Sequence, residues 1–121
     1  MTIQLINKNN INIVHVKSDD KVIIDAQSAL DLAMTISYEY NTSYIIIDKQ
    51  CIIEDFFILS TGIAGEILQK FINYGIKFAV VGDFSHYTSK PLNDFIFESN
   101  KGKSAFFVKS IDEAIEKLSS N

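Results

Sequence analysis

The sequence predicts an α/β fold: a mixed β-sheet with an N-terminal hairpin, a parallel βαβ core and about four helices. Tyr44–Asp48 ("YIIID") and Ile76–Asp83 ("IKFAVVGD") are nearly continuous apolar runs, too short for helices. Such runs are typical of strands covered on both faces. An amphipathic stretch lies between them, so the unit reads as strand, helix, strand, which favours a right-handed crossover and parallel strands. With no linker or repeat in 121 residues, one domain over residues 1–121 is expected.

The chain opens with a predicted β-hairpin. The β-branched segments "TIQLIN" and "INIVHVKS" flank "NKNN", whose asparagines tolerate turn conformations. His15 lies inside the second of these strands and is expected to face solvent. "KVII" (Lys21–Ile24) is a candidate for a short third strand.

Four helices follow from periodicity and capping signals. Asp25 is a predicted N-cap for a helix that ends near Asn41. The proline of "PLNDFIFES" fits the first turn of a third helix, and a strand is predicted at "SAFFVK". Ser110 and Glu113 have capping-box spacing at the start of the last helix. The second helix, after "LSTG", should bury one apolar stripe made of Ile63, Ile67, Leu68, Phe71 and Ile72.

The composition excludes several classes of function. The chain has 11 basic residues, all lysines, and 15 acidic residues. Arginine, whose guanidinium group binds phosphate and guanine through two hydrogen bonds, is missing, so nucleic-acid binding is not expected. No apolar run is long enough to span a membrane, and no signal-peptide pattern is present at the N-terminus. Cys51, the single cysteine, lies in an apolar run and is expected to be a small buried residue. These features indicate a cytoplasmic protein.

Polar side chains should collect at the carboxyl ends of the parallel strands, where ligands bind in open α/β sheets. Asp48 and Asp83 end two strands, and the residues that follow add hydroxyls, carboxylates and a helix N-terminus. Ser and Thr are favoured helix caps, and a helix N-terminus also favours an anion. The hydroxyl residues before the second helix are therefore compatible with either capping or anion binding. The candidate ligand- or partner-binding residues are Asp48, Glu54, Asp55, Ser60, Thr61, Gly62, Asp83 and Ser85.

Other chemistry at these positions has weaker support. The four acidic residues of the group could surround Mg²⁺, but the pair in "EDFF" is typical of the start of a helical turn, so no metal site is predicted. No catalytic residue is assigned either, because "DFSHY" lacks the geometry expected of a relay and "GIAGEI" lacks the Gly-Lys of a phosphate loop. No cofactor is expected. Gly62 and Gly65 are expected to permit close approach of a ligand or a strand.

Short motifs across nearly the whole chain resemble an uncharacterised bacterial family, the domain of unknown function numbered 4180. They include "EDFF", "TG", "AGEILQKF", "VGDFS", "DFI" and "ESN". This resemblance brings no established activity.

The order of elements, and "STGIAGEILQKFINYGIKFAVVG" in particular, is similar to the STAS domain of anti-sigma factor antagonists. In that family an Asp-Ser-Ser/Thr-Gly motif opens a helix, and a partner kinase phosphorylates the serine. By position Ser60, Thr61 and Gly62 match Ser-Ser/Thr-Gly, while Leu59 replaces the aspartate and the loop from Asp48 is longer. The resemblance implies a STAS-like fold, a protein partner and Ser60 as a candidate phosphoacceptor.

Two functions are therefore expected. The first is a non-enzymatic STAS-like regulatory module that binds a protein partner, with Phe56, Phe57, Phe84 and Tyr87 as candidate aromatic contact area. The alternative is a small-molecule or nucleotide (anion) binding domain that uses the helix N-terminus at Ser60–Gly62 with the two strand-end aspartates. A homodimer is compatible with either.

Overall fold

The computed structural model of the protein describes residues 1–120. The chain opens with the predicted hairpin, formed by antiparallel strands β1 (Thr2–Lys8) and β2 (Ile11–Lys17). Asn9 and Asn10 turn the chain with φ of 54° and 64°. Positive φ at both central residues is what the tight hairpin turn requires, and asparagine tolerates it better than most residues.

The remaining elements alternate helix and strand. They are α1 (Ala26–Tyr40), β3 (Tyr44–Asp48), α2 (Ile63–Asn73), β4 (Lys77–Val81), α3 (Lys90–Lys101), β5 (Ala105–Val108) and α4 (Ile111–Ser119). The five strands form one sheet in the order β1-β2-β3-β4-β5, and every pair after the hairpin is parallel. This confirms the mixed sheet, its hairpin, the parallel core and the four α-helices.

The two faces of the sheet are covered unequally. Helices α1, α2 and α3 pack on one face, where Val14 and Val16 of β2 join the larger apolar cluster. Helix α4 packs on the other face, against β3, β4 and β5. Three successive right-handed crossovers in one direction along the sheet place their helices on the same face. The α4 face therefore carries a single short helix, and the hairpin end of that face stays more open.

The helix boundaries follow the predicted caps. The Asp25 carboxylate accepts a hydrogen bond from the backbone N–H of Ser28, and the Ser28 hydroxyl accepts one from the Asp25 N–H, which completes a capping box. Asn41 ends α1 with φ of 52°. At α4 the Ser110 hydroxyl accepts from the N–H of Glu113, but the Glu113 carboxylate accepts from Lys109 rather than from Ser110. Only half of that predicted capping box forms.

Two predicted features of the elements are wrong. Lys21–Ile24 is no strand, since it makes only an isolated parallel bridge between Ile23 and Ile52. The N–H groups of Val22 and Ile23 both donate to the carbonyl of Cys51, so the regular alternation of a ladder does not develop. In α2, Ile72 is 54% exposed, because it lies about 100° around the helix from the buried Phe71.

Candidate functional site

The candidate site is built on the two segments that follow β3 and β4. After β3 the chain makes three short 3-10 turns, at Lys49–Cys51, Glu54–Phe57 and Leu59–Thr61, before α2 begins. After β4 a loop over residues 82–89 leads to α3. Both strands end at the same edge of the sheet because they are parallel, so the two segments become neighbours.

The aromatic residues of the first segment are core. Phe56 and Phe57 are 1% and 2% exposed, so the prediction that they supply contact area for a partner is wrong. The Phe57 ring stacks on Tyr87 with centroids 5.5 Å apart and contacts Phe84 at 5.9 Å. The 3-10 turn folds back over the end of the sheet, so both phenylalanines point inward while Glu54 and Asp55 remain exposed. Phe84 and Tyr87 are themselves half-buried against the core.

Polar contacts join the two segments. The Tyr87 hydroxyl donates to Glu54 Oε2 at 2.6 Å, and Lys49 Nζ lies 3.5 Å from Glu54 Oε1. The same ammonium group lies 4.9 Å from the centroid of the Phe57 ring and 5.1 Å from that of Tyr87. These contacts stabilise the ionised carboxylate and the protonated phenol together.

The pKa values of this pair move in opposite directions. Partial burial acts to raise the pKa of the Glu54 carboxyl, but the hydrogen bond from Tyr87 and the charge of Lys49 outweigh it and leave that pKa below its ordinary value. Burial and the neighbouring carboxylate raise the pKa of the Tyr87 hydroxyl.

A glycine at the end of β4 makes this packing feasible. A Cβ placed on Gly82 would lie 2.6 Å from Cβ of Lys49. The close approach of a neighbouring strand predicted for Gly62 and Gly65 is wrong, since an added Cβ meets no protein atom within 4 Å at either position. Gly62 is needed for its backbone instead, with φ of 81° at the N-cap of α2.

The hydroxyls before α2 differ in their contacts. The Thr61 side chain lies 2.8 Å from the carbonyl oxygens of both Asp55 and Ile58, and it accepts a long hydrogen bond of 3.3 Å from Ile63 N–H. It therefore fixes the last 3-10 turn, whereas the N-cap of α2 is Gly62, with no side-chain cap. Ser60 is exposed and has no hydrogen bond to another residue of the described chain.

The two strand-end aspartates are engaged separately. Asp83 Oδ1 accepts from both the N–H and the hydroxyl of Ser85, at 2.9 and 2.6 Å, and these bonds lower the pKa of its carboxyl. Asp48 Oδ1 lies 2.8 Å from Nε2 of His15. His15 is 2% exposed, so the expectation that it faces solvent is wrong.

Strand register explains the His15–Asp48 pair. His15 lies opposite Ile46 across the parallel β2–β3 ladder, and Asp48 follows two residues later on the same face of the sheet. On that face His15 borders an open cleft, although only 2% of its own surface is exposed. A signal was present in the sequence, because both residues lie near the carboxyl ends of predicted strands. The face on which each side chain would lie could not be read without the register.

The candidate residues do not gather at one point. Asp48 and Asp83 line one open cleft on the α4 face, together with His15, Lys17 and Lys21. Ser60 lines a separate groove, together with Ile58, Leu59, Thr88 and Pro91. His86 borders both. Within residues 1–120 no three His, Cys, Asp or Glu side chains are placed to hold a metal ion, and no helix is long and apolar enough to cross a membrane.

Cys51 is fully buried, as expected for a small core residue. Burial raises the pKa of its thiol, and its Sγ lies 3.7 Å from the carbonyl oxygen of Ser18. A protonated, enclosed thiol is a poor nucleophile.

Comparison with known proteins gives one family. The model of a domain of unknown function, DUF4180, matches residues 8–118, which confirms the resemblance seen in the sequence. No curated protein matches the chain. Among solved structures, the chain is similar to a proposed anti-sigma factor antagonist from Thermotoga maritima. The identity is 15% over 96% of this chain and 93% of that one, with a TM-score of 0.47.

Proposed function

This chain belongs to the DUF4180 family, and we propose that it is a non-enzymatic regulatory module that binds a protein partner at the Ser60 rim. The rim is the exposed border of the groove formed by the segments 57–60 and 86–89 together with Pro91. The observation that carries the proposal is the pairing of an exposed hydroxyl with exposed apolar surface. Ser60 is exposed, and Ile58 beside it leaves 49% of its surface in solvent.

The rim is held in one shape before any partner arrives. The hydrogen bond from Tyr87 to Glu54 and the stacking of Phe57 on Tyr87 fix its two segments against each other. A preorganised surface loses less conformational entropy on binding. The buried phenylalanines thus support the rim from below, although they contribute no contact area themselves.

Ser60 is the proposed phosphoacceptor. It has no hydrogen bond to another described residue, and it lies two residues before Gly62, the N-cap of α2. The partial positive charge of that terminus favours a phosphate group. Thr61, whose hydroxyl is held by two carbonyl groups, is the poorer acceptor. Phosphate at Ser60 would add charge beside Ile58 and weaken an apolar partner contact.

Affinity capture from the native host tests this function. The bait is the full chain, compared with Ile58→Asp at the rim and with Ile72→Asp as the matched control. Ile72 has a similar exposure of 54% and lies at the far end of α2. A partner retained by the wild-type chain and by I72D, and lost with I58D, is the expected result.

Mass spectrometry of the chain isolated from the host tests the modification. Phosphate on Ser60, and loss of the captured partner with Ser60→Asp, is expected. Equal capture of the partner by the wild-type chain, I58D and I72D would contradict a partner at the Ser60 rim. If a partner binds and Ser60 is unmodified, the proposed phosphorylation switch is ruled out and the proposed docking site is retained.

A further inference from the structure

A second surface of the molecule carries an inference independent of the Ser60 rim. The His15 cleft is the open depression of about 640 Å³ at the carboxyl ends of β2, β3 and β4 on the α4 face. Its floor includes His15 and Asp48, and Ile111 at the start of α4 forms part of its wall. Lys17 and Lys21 lie on the β2 side, and Asp83 and His86 lie on the β4 side.

The histidine in this cleft is oriented by its carboxylate. An ionised carboxylate only accepts hydrogen bonds, so the contact of 2.8 Å from Asp48 Oδ1 requires the ring proton on Nε2 of His15. The other ring nitrogen, Nδ1, has no partner within residues 1–120. No side-chain nitrogen or oxygen of the described chain is both fully buried and unbonded. Nδ1 is therefore the polar atom that the buried His15 presents to the cleft.

The charges around His15 favour an anion. Lys17 lies two residues after His15 on the same face of β2, and it forms no ion pair with a described residue. Lys21 Nζ donates to the carbonyl oxygen of Gln50, which leaves its positive charge without a described counterion. Each lysine can hold an anion without breaking an ion pair.

The acidic groups of the cleft are already engaged. Asp48 accepts from His15, and Asp83 accepts twice from Ser85. Lys49 also lines the cleft, but its ammonium group lies 3.5 Å from Glu54 Oε1, a residue outside the cleft. His86, on the β4 side, is exposed and can donate a further hydrogen bond. The lining of the cleft therefore holds three lysines against two aspartates, and its net charge is positive.

We propose that the His15 cleft binds a small oxyanion, the phosphate group of a metabolite, through Lys17, Lys21 and His15. In the complex His15 carries a proton on each ring nitrogen, and the second proton, on Nδ1, is taken up from the buffer as the anion binds. Its two N–H groups then donate in opposite directions, Nε2 to Asp48 and Nδ1 to the anion. Asp48 offsets the charge of the imidazolium from behind, while the two ammonium groups contact the remaining oxygens of the anion.

Nuclear magnetic resonance of the imidazole nitrogens tests this directly. The chain has two histidines, so the spectrum is simple, and loss of one set of signals in His15→Gln assigns His15. Sodium phosphate is titrated into the full chain at constant ionic strength. The Nδ1 signal of His15 should move from the position of a bare nitrogen toward that of an N–H group and should saturate. Sodium acetate is the second arm, and saturation by acetate alone would assign the cleft to carboxylates and overturn the phosphate assignment.

Variants separate the cleft from general charge effects. Lys17→Gln combined with Lys21→Gln should weaken phosphate binding by about tenfold. His15→Gln keeps an N–H for Asp48 but lacks Nδ1, and it should also weaken binding. Lys70→Gln, on the exposed side of α2, removes one positive charge remote from the cleft and should leave binding unchanged. Phosphate binding that does not saturate, or that weakens equally in K70Q, would overturn the proposal. So would unchanged binding by H15Q.

Discussion

The Tyr87 hydroxyl donates a hydrogen bond of 2.6 Å to Glu54 Oε2, and this contact joins residues 33 positions apart in the chain. It links the segment after β3 to the segment after β4. The Phe57 ring lies beneath it and stacks on Tyr87, so the polar contact lies over an aromatic one. The shape of the Ser60 rim depends on this pair.

Removal of the Tyr87 hydroxyl should therefore cost stability. Tyr87→Phe keeps the stacked ring but loses the bond to Glu54, and we expect a loss of about 1 kcal/mol in the free energy of unfolding. Urea denaturation measures it. Tyr38→Phe is the matched control, since Tyr38 is 91% exposed, and it should leave the unfolding midpoint unchanged. Equal midpoints for Y87F and the wild-type chain would show that the contact adds nothing to stability.

The same pair predicts a pH dependence. The pKa of Glu54 is lowered in the fold, so its contribution to stability is present above the unfolded pKa of about 4.3 and is lost as pH falls through the lower folded pKa. The pKa of Tyr87 is raised, so its contribution is present below the unfolded pKa of about 10 and is lost as pH rises toward the folded pKa.

The stability difference between the wild-type chain and Y87F should consequently be largest between about pH 5 and pH 9. Urea denaturation of both proteins across this range and below it measures the difference. The gap should narrow below about pH 4. A gap that is constant from pH 3 to pH 9 would contradict the assigned role of Glu54.

Two glycines should respond to alanine with opposite signs. Gly82→Ala places a methyl group 2.6 Å from Cβ of Lys49, and overpacking of this kind costs about 1–3 kcal/mol. Gly65→Ala, inside α2 with open space around it, should instead stabilise the protein by about 0.5–1 kcal/mol. Thermal unfolding of both variants checks the prediction. Destabilisation by G65A, or no effect of G82A, would contradict the packing described at these positions.

Gly62 should be constrained by its backbone alone. With φ of 81° and no neighbour within 4 Å of an added Cβ, Gly62→Ala should cost about 1–2 kcal/mol from the left-handed conformation. Gly62→Asn should cost less, since asparagine enters this region more readily. Denaturant midpoints rank the variants. If alanine and asparagine were equally destabilising, a side-chain contact rather than the backbone angle would be responsible.

The local pattern of the sequence was enough to predict the helices and strands, except at Lys21–Ile24, where it predicted a strand that does not form. Tyr44–Asp48 and the run from Ile76 read as covered strands because their apolar residues are continuous, and Asp25 and Asn41 bound α1 through chemistry that acts within a few residues. Such signals act over a few residues, so they can be interpreted without knowledge of the rest of the chain. Fold class, hairpin and helix number followed from them.

The sequence did not reveal which individual side chains are buried, and this required the tertiary structure. Phe56 and Phe57 lie in an acidic segment that reads as a surface turn, but the segment folds back and encloses both rings. The close-approach glycine is Gly82 rather than Gly62, because the neighbour that approaches it, Lys49, comes from a different strand end.

For the candidate site, too, one part could be predicted from the sequence and another part required the tertiary structure. The sequence alone determined that Asp48, Asp83 and Ser60 would lie near the carboxyl edge of the sheet, since parallel strands end together. Only the tertiary structure decided that the aspartates line one cleft and Ser60 another, and that His15 is buried against Asp48. The physical reason is register: the face on which a strand residue lies alternates at every position, and the pairing of neighbouring strands fixes which side chains meet.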